Sequence, residues 1–296
     1  MAIKSRLARR AVAEGTAALV LRDLNISTLR VDPKAIAAQK DIVVQAKPDL
    51  HDGVSGMLVM VRDVFGIMYA TKIKSVGFQN FSIAHELGHY FIDGHCDALL
   101  TAGAHLSRAG FASADPYEQE ADFFAAALLM PEGPFRRELN KHPAGLSVIK
   151  HLSDACETSL SATGIRYSSL TRDAVAVIAS TGPAIDYCFL SDGMKEAKGL
   201  SWLRKGSPVP SGTATFTFNA DVDNIRLGRE ETGEGLLNDW MGGERRYAIQ
   251  EQVIGLGEYG RTLTVLSCDQ LGEIDDPDSD ESDEDLIESW TPKFRR

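Results

Sequence analysis

Hydrophobic positions divide the chain into stretches of different period. Residues 1–38 carry Ala and Leu at helical spacing, break at Asn25–Ser27, and resume at Asp32-Pro33, a capping residue followed by proline at a first helical position. Asp41–Gln45 and Met57–Thr71 are rich in Val, Ile, Met and Tyr and flank the turn-forming Pro48–Gly56 stretch, which predicts a small sheet. Helical spacing returns with Ile83, Ala84, Leu87 and Phe91. Gly94–Pro116 reads as a loop, and Tyr117–Met130 as a long apolar helix stopped by Pro131.

From Pro134 to Ser180 the texture is polar and helical, with short pieces at Leu146–Ala155 and Thr171–Ile178. After Pro183 it changes again. Ala184–Leu190, Leu200–Arg204, Thr213–Asn219, Ala248–Leu256 and Thr262–Cys268 read as strands, the last two joined by a turn at Gly257–Gly260. The pattern predicts an α+β protein in four parts: a core at 1–133, a helical module at 134–182, a C-terminal mixed α/β module at 183–272, and a tail at 273–296. The tail is expected to be mostly disordered, with Trp290 and Phe294 as the residues in it that could dock.

Charge sharpens that division. The formal net charge is -11, yet Glu273–Glu288 holds ten acidic residues and no Lys or Arg, so the body is within one charge of neutral. Between 134 and 182, six basic residues face four acidic ones, too thin an excess for phosphate binding, so direct DNA binding is not expected. The longest apolar run, Phe123–Met130, has 8 residues, far short of the roughly 20 that span a bilayer. Cys96, Cys156, Cys188 and Cys268 are scattered without a C-x-x-C pair, and no secretory signal precedes them. A cytoplasmic protein with reduced thiols and no membrane partner is the expectation.

The chemistry lies in His85-Glu86-Leu87-Gly88-His89. On a helix, positions i and i+4 share a face, so both imidazoles can converge on one Zn2+ while Glu86 reaches across the metal as general acid/base. Such a site needs a third protein ligand and an open fourth position. Tyr117–Asp122 opens the next helix with three carboxylates. Where the third ligand is Glu on a later helix, an Asp or Asn four positions on commonly hydrogen-bonds a ligand histidine; Glu118 and Asp122 stand in that relation. Glu118 is the expected ligand, Asp122 its companion, and Glu120 the alternative. Two His and one Glu suit Zn2+ and also tolerate Mn2+.

The two helices together resemble the ImmA/IrrE family of metallopeptidases. Phe81–Tyr90, reading FSIAHELGHY, is similar to the family's first zinc helix, and Ala121–Pro131, reading ADFFAAALLMP, to its second. The similarity runs over roughly residues 15–180; Asn80 and Asp93 depart from the Arg and His that are frequent there. The resemblance implies a zincin-like core, a helix-turn-helix-like module at 134–182, and a zinc endopeptidase that cleaves a helix-turn-helix transcriptional repressor, derepressing mobile-element, prophage or DNA-damage genes. By position alone, the C-terminal module corresponds to the sensor-like, GAF-like domain of radiation-response members. Two other classes compete: a non-proteolytic regulator that binds its repressor around a structural metal, and a toxin-antitoxin component. His95, His105, Tyr90 and Tyr117 are open candidates for stabilising the reaction's developing charge, with ordinary packing the default for each. His51, His142, His151 and Cys96 carry no recognisable constellation.

Overall fold

The computed structural model describes residues 8–48, 53–101, 103–107, 113 and 115–271. The acidic tail, with Trp290 and Phe294, lies outside the described residues, as does His51.

The N-terminal half builds around a four-stranded sheet. Helices α1 (Arg10–Asp23) and α2 (Pro33–Ala38) precede strand β1 (Val43–Lys47), the hairpin β2 (Gly56–Val61) and β3 (Val64–Ala70), helix α3 (Val76–Phe91), a short helix α4 (His95–Leu99), strand β4 (Ala104–Ser107) and helix α5 (Pro116–Leu129). Strand order is β1-β3-β2-β4, with β1 parallel to β3 and the other pairs antiparallel. Three of these helix starts, those of α2, α3 and α5, are capped by side chains. Asp32 accepts from the backbone N–H of Lys34 at 2.8 Å, Ser75 from that of Phe78 at 3.3 Å, and Asp115 from that of Tyr117 at 2.9 Å, with Pro33 and Pro116 at first-turn positions. Strand β4 falls inside the stretch expected to be loop. Its four residues, AHLS, pair only with β2 at the sheet edge and are too few to show alternation.

Helix α3 is buried from Phe81 to His89, packed between the sheet and α5. The two helices approach closely at Gly88, where a Cβ would come within 3.0 Å of the Ala121 Cα. Side chains one turn either side of that crossing therefore face one another.

Next come α6 (Glu132–Leu139), α7 (Leu146–Cys156), α8 (Leu160–Leu170), β5 (Val175–Thr181), β6 (Ala184–Leu190), α9 (Asp192–Lys195), α10 (Ala214–Asn219), α11 (Val222–Arg226), β7 (Glu230–Leu236), α12 (Leu237–Met241), β8 (Ala248–Gly255) and β9 (Thr262–Ser267). The five strands form an antiparallel sheet in the order β6-β5-β9-β8-β7. One face, with Val175, Val177, Leu263 and Val265, shares a core with α6, α7 and α8; the other, with Ala176, Ile178, Ile249 and Leu266, packs on Met194, Leu237, Trp240 and Met241.

Three sequence expectations are corrected here. Thr171–Ile178, expected to be helical, is loop and then β5; buried on both faces, it shows an unbroken apolar run whose period distinguishes neither state. Thr213–Asn219, expected as a strand, is α10 with Thr213 accepting from Phe216 N–H at 3.2 Å, so capping overrode the Thr/Phe alternation. Leu200–Arg204 forms no strand, only a single bridge between Leu200 and Gly242. Strand β7 was not expected, because EETGEGL at the sheet edge has almost no apolar signal.

Candidate metal centre

The close crossing of α3 and α5 brings His85, His89 and Glu118 together, each offering one ligand atom within 4.8 Å of the others. His89 Nε2 lies 3.1 Å from His85 Nε2 and 3.2 Å from Glu118 Oε1, and His85 Nε2 lies 3.5 Å from Glu118 Oε2. Tetrahedral bonds of about 2.0–2.1 Å put ligand atoms roughly 3.3 Å apart, so the donor set fits an ion the size of Zn2+. Asp122 meets the far side of the first imidazole, its Oδ1 2.8 Å from His85 Nδ1. Donation from Nδ1–H to that carboxylate leaves the Nε2 lone pair facing the cluster.

His89 is held by a longer chain. Its Nδ1 lies 3.0 Å from His95 Nδ1, His95 Nε2 lies 3.1 Å from Glu120 Oε2, and Glu120 receives Arg9 through the backbone N–H at 2.9 Å and the guanidinium Nη2 at 2.9 Å. A neutral His95 that donates Nε2–H to Glu120 presents a bare Nδ1 to His89 Nδ1–H, which again leaves Nε2 for the metal side. Glu120 is therefore on the supporting chain rather than in the cluster. Two residues from Glu118, it points to a different side of α5. His95 and Glu120 are fully buried. Neither role is legible in sequence, because His95 lies beyond the end of α3 and Arg9 is more than a hundred residues from its partner.

His105, on β4, places Nε2 2.8 Å from Glu118 Oε1, with its ring centroid 4.8 Å from that of His89. Of the four candidates for stabilising developing charge, it stands directly against the cluster. Tyr117 packs edge-on to His95, and Tyr90 against Phe65 and Phe91.

Glu86 is the anomaly in this well-bonded group. It is fully buried, and among the described residues neither carboxylate oxygen meets a partner in good hydrogen-bond geometry, the Ser107 hydroxyl being the near neighbour that favours its charge. Burial pushes its pKa up to about 7 against the pull of the His85 charge. Room for it is made by Gly56, where a Cβ would lie 2.4 Å from Glu86 Oε1; Gly56 pairs in register with Ser107, whose buried hydroxyl is near enough to lower the Glu86 pKa. An unpaired buried carboxyl costs free energy unless a water or ion completes it. Among the protein groups alone, burial opposes the charge on His85, but hydrogen bonds to Asp122 and Glu118 outweigh it and hold its pKa at about 10. Burial drives His89 down to about 3. Burial also opposes ionisation of Glu118, but hydrogen bonds from His105, His85 and His89 keep it well below the usual carboxylate range. Glu118 is thus an anion at any working pH, as a metal ligand must be.

The fold and this cluster define the class: a mixed α+β protein with two histidines on one helix and a glutamate on the next, arranged as a candidate metal site. Residues 37–168 match the family model Peptidase_M78, the IrrE N-terminal-like domain, a match that supports an ImmA/IrrE family member. No curated protein matches the chain. A Mycobacterium tuberculosis transcriptional regulator has a similar structure, with a TM-score of 0.55 and 15% identity over 88% of this chain and 76% of that one. At that identity the likeness is one of fold. Among the described residues, no helix is long and apolar enough to cross a membrane.

Proposed function

We propose that the protein is a zinc-dependent endopeptidase with a zincin-like core at residues 1–133, in which His85, His89 and Glu118 hold the metal and Glu86 is the general acid/base. The observation that carries this reading is the Glu86 carboxyl, buried, without a partner in good hydrogen-bond geometry and beside the ligand cluster. Bound there, the metal supplies Lewis acidity and lowers the pKa of a coordinated water toward about 7. Glu86, a buried carboxylate beside that position, would take a proton and return it to the leaving amine. Asp122 and the His95–Glu120–Arg9 chain fix the two imidazoles. His105 is a donor available to the substrate carbonyl oxygen as charge develops on it. Mn2+ would occupy the same ligands.

The substrate in this reading is a helix-turn-helix transcriptional repressor in the cytoplasm, whose cleavage derepresses mobile-element, prophage or stress genes. The match to the Peptidase_M78 family model over residues 37–168 and a fold shared with a Mycobacterium tuberculosis transcriptional regulator support that choice. The helical module at 134–182 and the C-terminal module at 183–272 would dock the repressor or carry the activating signal. The test compares new protein N-termini in the native host, with and without DNA damage, between wild type and a chromosomal Glu86→Gln variant. A cut in a helix-turn-helix protein that requires Glu86 is expected; identical termini in both strains under every stress would reject proteolysis.

His105 favours a second reading. Already 2.8 Å from Glu118, its imidazole could close the fourth coordination position and make the metal structural. The protein would then regulate its repressor by binding alone, and a stable complex unaffected by Glu86→Gln is what that reading expects.

A further inference from the structure

A second cluster lies in the other half of the molecule. Glu138 lies in the last turn of α6, His142 sits in the turn that follows, and His151 arrives from the middle of α7. The two histidines had no constellation in sequence, yet each of the three residues places one ligand atom within 4.8 Å of the other two. Glu138 Oε1 is the common point, 2.9 Å from His151 Nε2 and 3.6 Å from His142 Nε2. Those separations bracket the roughly 3.3 Å between donors on a tetrahedral ion with bonds of about 2.0–2.1 Å. The imidazole centroids are 4.4 Å apart with planes inclined at 41°, so both Nε2 atoms look toward the same oxygen.

The rest of the carboxylate is spoken for. Lys141 Nζ holds Glu138 Oε2 at 2.6 Å, leaving Oε1 to the imidazoles. The hydrogen bond from Lys141, then that from His151, pulls the Glu138 pKa down to about 2, so the group is an anion at neutral pH. The side chains are 24–43% exposed, which admits an ion and water to its open positions.

We propose that Glu138, His142 and His151 form a second divalent-metal site, selective for imidazole-seeking ions such as Zn2+, Ni2+ or Cu2+, that clamps the end of α6 to α7. Two imidazoles and one carboxylate favour these ions over Mg2+ or Ca2+, which take oxygen ligands. The clamp has a mechanical consequence. Helix α7 is tied to the C-terminal sheet through Leu146 N–H to Gln252 at 2.7 Å and through the Lys150–Glu230 ion pair. An ion here would set how firmly α6, which follows directly on α5, is coupled to that sheet. None of these residues belongs to the His85–His89–Glu118 cluster, so the site stands whatever that cluster does.

The test uses the full chain, stripped with chelator and titrated with Zn2+ alone, reading bound metal per chain and backbone hydrogen exchange across residues 140–151. Wild type is expected to bind one equivalent more than His142→Ala or His151→Ala. At Zn2+ tenfold above the site's Kd, exchange in that segment should slow about tenfold, and in His85→Ala as well as wild type. The surface substitutions leave both cores intact, so their effect is readable even if His85→Ala fails to fold. Stoichiometry and exchange unchanged in His151→Ala would overturn the proposal, as would protection confined to α3 and α5.

Discussion

Replacing Glu86 by Gln in the chelator-stripped protein should stabilise it, and the gain should depend on pH. Glu86 has a folded pKa of about 7 against an ordinary 4.5, because burial penalises its charge more than the His85 charge and the Ser107 hydroxyl favour it. Below about pH 4.5 the carboxyl is protonated in both states and has no pH-dependent effect on stability. Between 4.5 and 7 the folded chain holds a proton that the unfolded chain releases, so stability falls as pH rises, and above 7 the loss is complete. Two and a half units at 1.36 kcal/mol each make that loss about 3 kcal/mol, an order-of-magnitude figure. Gln has nearly the same shape and no charge to lose. Urea unfolding of both proteins at pH 4.5 and pH 8 should therefore show the stability difference, Glu86→Gln variant minus wild type, growing by about 3 kcal/mol across the range. Taking the difference cancels the titrating groups that do not interact with Glu86, leaving its coupling to His85, His105 and Glu118 in the measured term. Parallel pH curves would mean that Glu86 is not desolvated, and the reasoning from its burial would fail.

Other perturbations probe the supporting structure. Gly56→Ala would put a methyl group into the Glu86 carboxylate, so cleavage should fall by about 10²–10⁴ while bound metal per chain stays at the wild-type value; an active Gly56→Ala enzyme would contradict the placement of Glu86. Glu120→Ala removes the acceptor of His95 and should weaken metal affinity about 10–100-fold in a chelator competition, with no change expected if the chain behind His89 is idle. Gly88→Ala should force α3 and α5 apart at Ala121, lowering Tm and metal affinity together; a shift in Tm alone would show that the crossing does not set the site.

The peptidase signal was legible because its chemistry is local. His85, Glu86 and His89 lie on one helix at the spacing the chemistry needs, and Glu118 and Asp122 repeat that spacing on the next, so two short strings carry most of the cluster. The capped start at Asp32-Pro33 was legible for the same reason. What was not legible depends on contacts distant in sequence. Arg9 meets Glu120, Gly56 makes room for Glu86, and His151 meets Glu138, each through folding rather than a repeat. The second sheet misled the reading where burial on both faces erased alternation in β5, and where a polar edge strand, β7, had little to alternate.

The most direct test of a catalytic rather than structural centre is the metal's own coordination, read from anomalous diffraction at the zinc edge on crystals of the Zn2+-loaded full chain. The account predicts an ion within about 2.0–2.2 Å of His85 Nε2, His89 Nε2 and a Glu118 oxygen, with solvent in the remaining position and Glu86 facing that solvent. An ion closed by a fourth protein ligand such as His105, or lying away from these three residues, would contradict it.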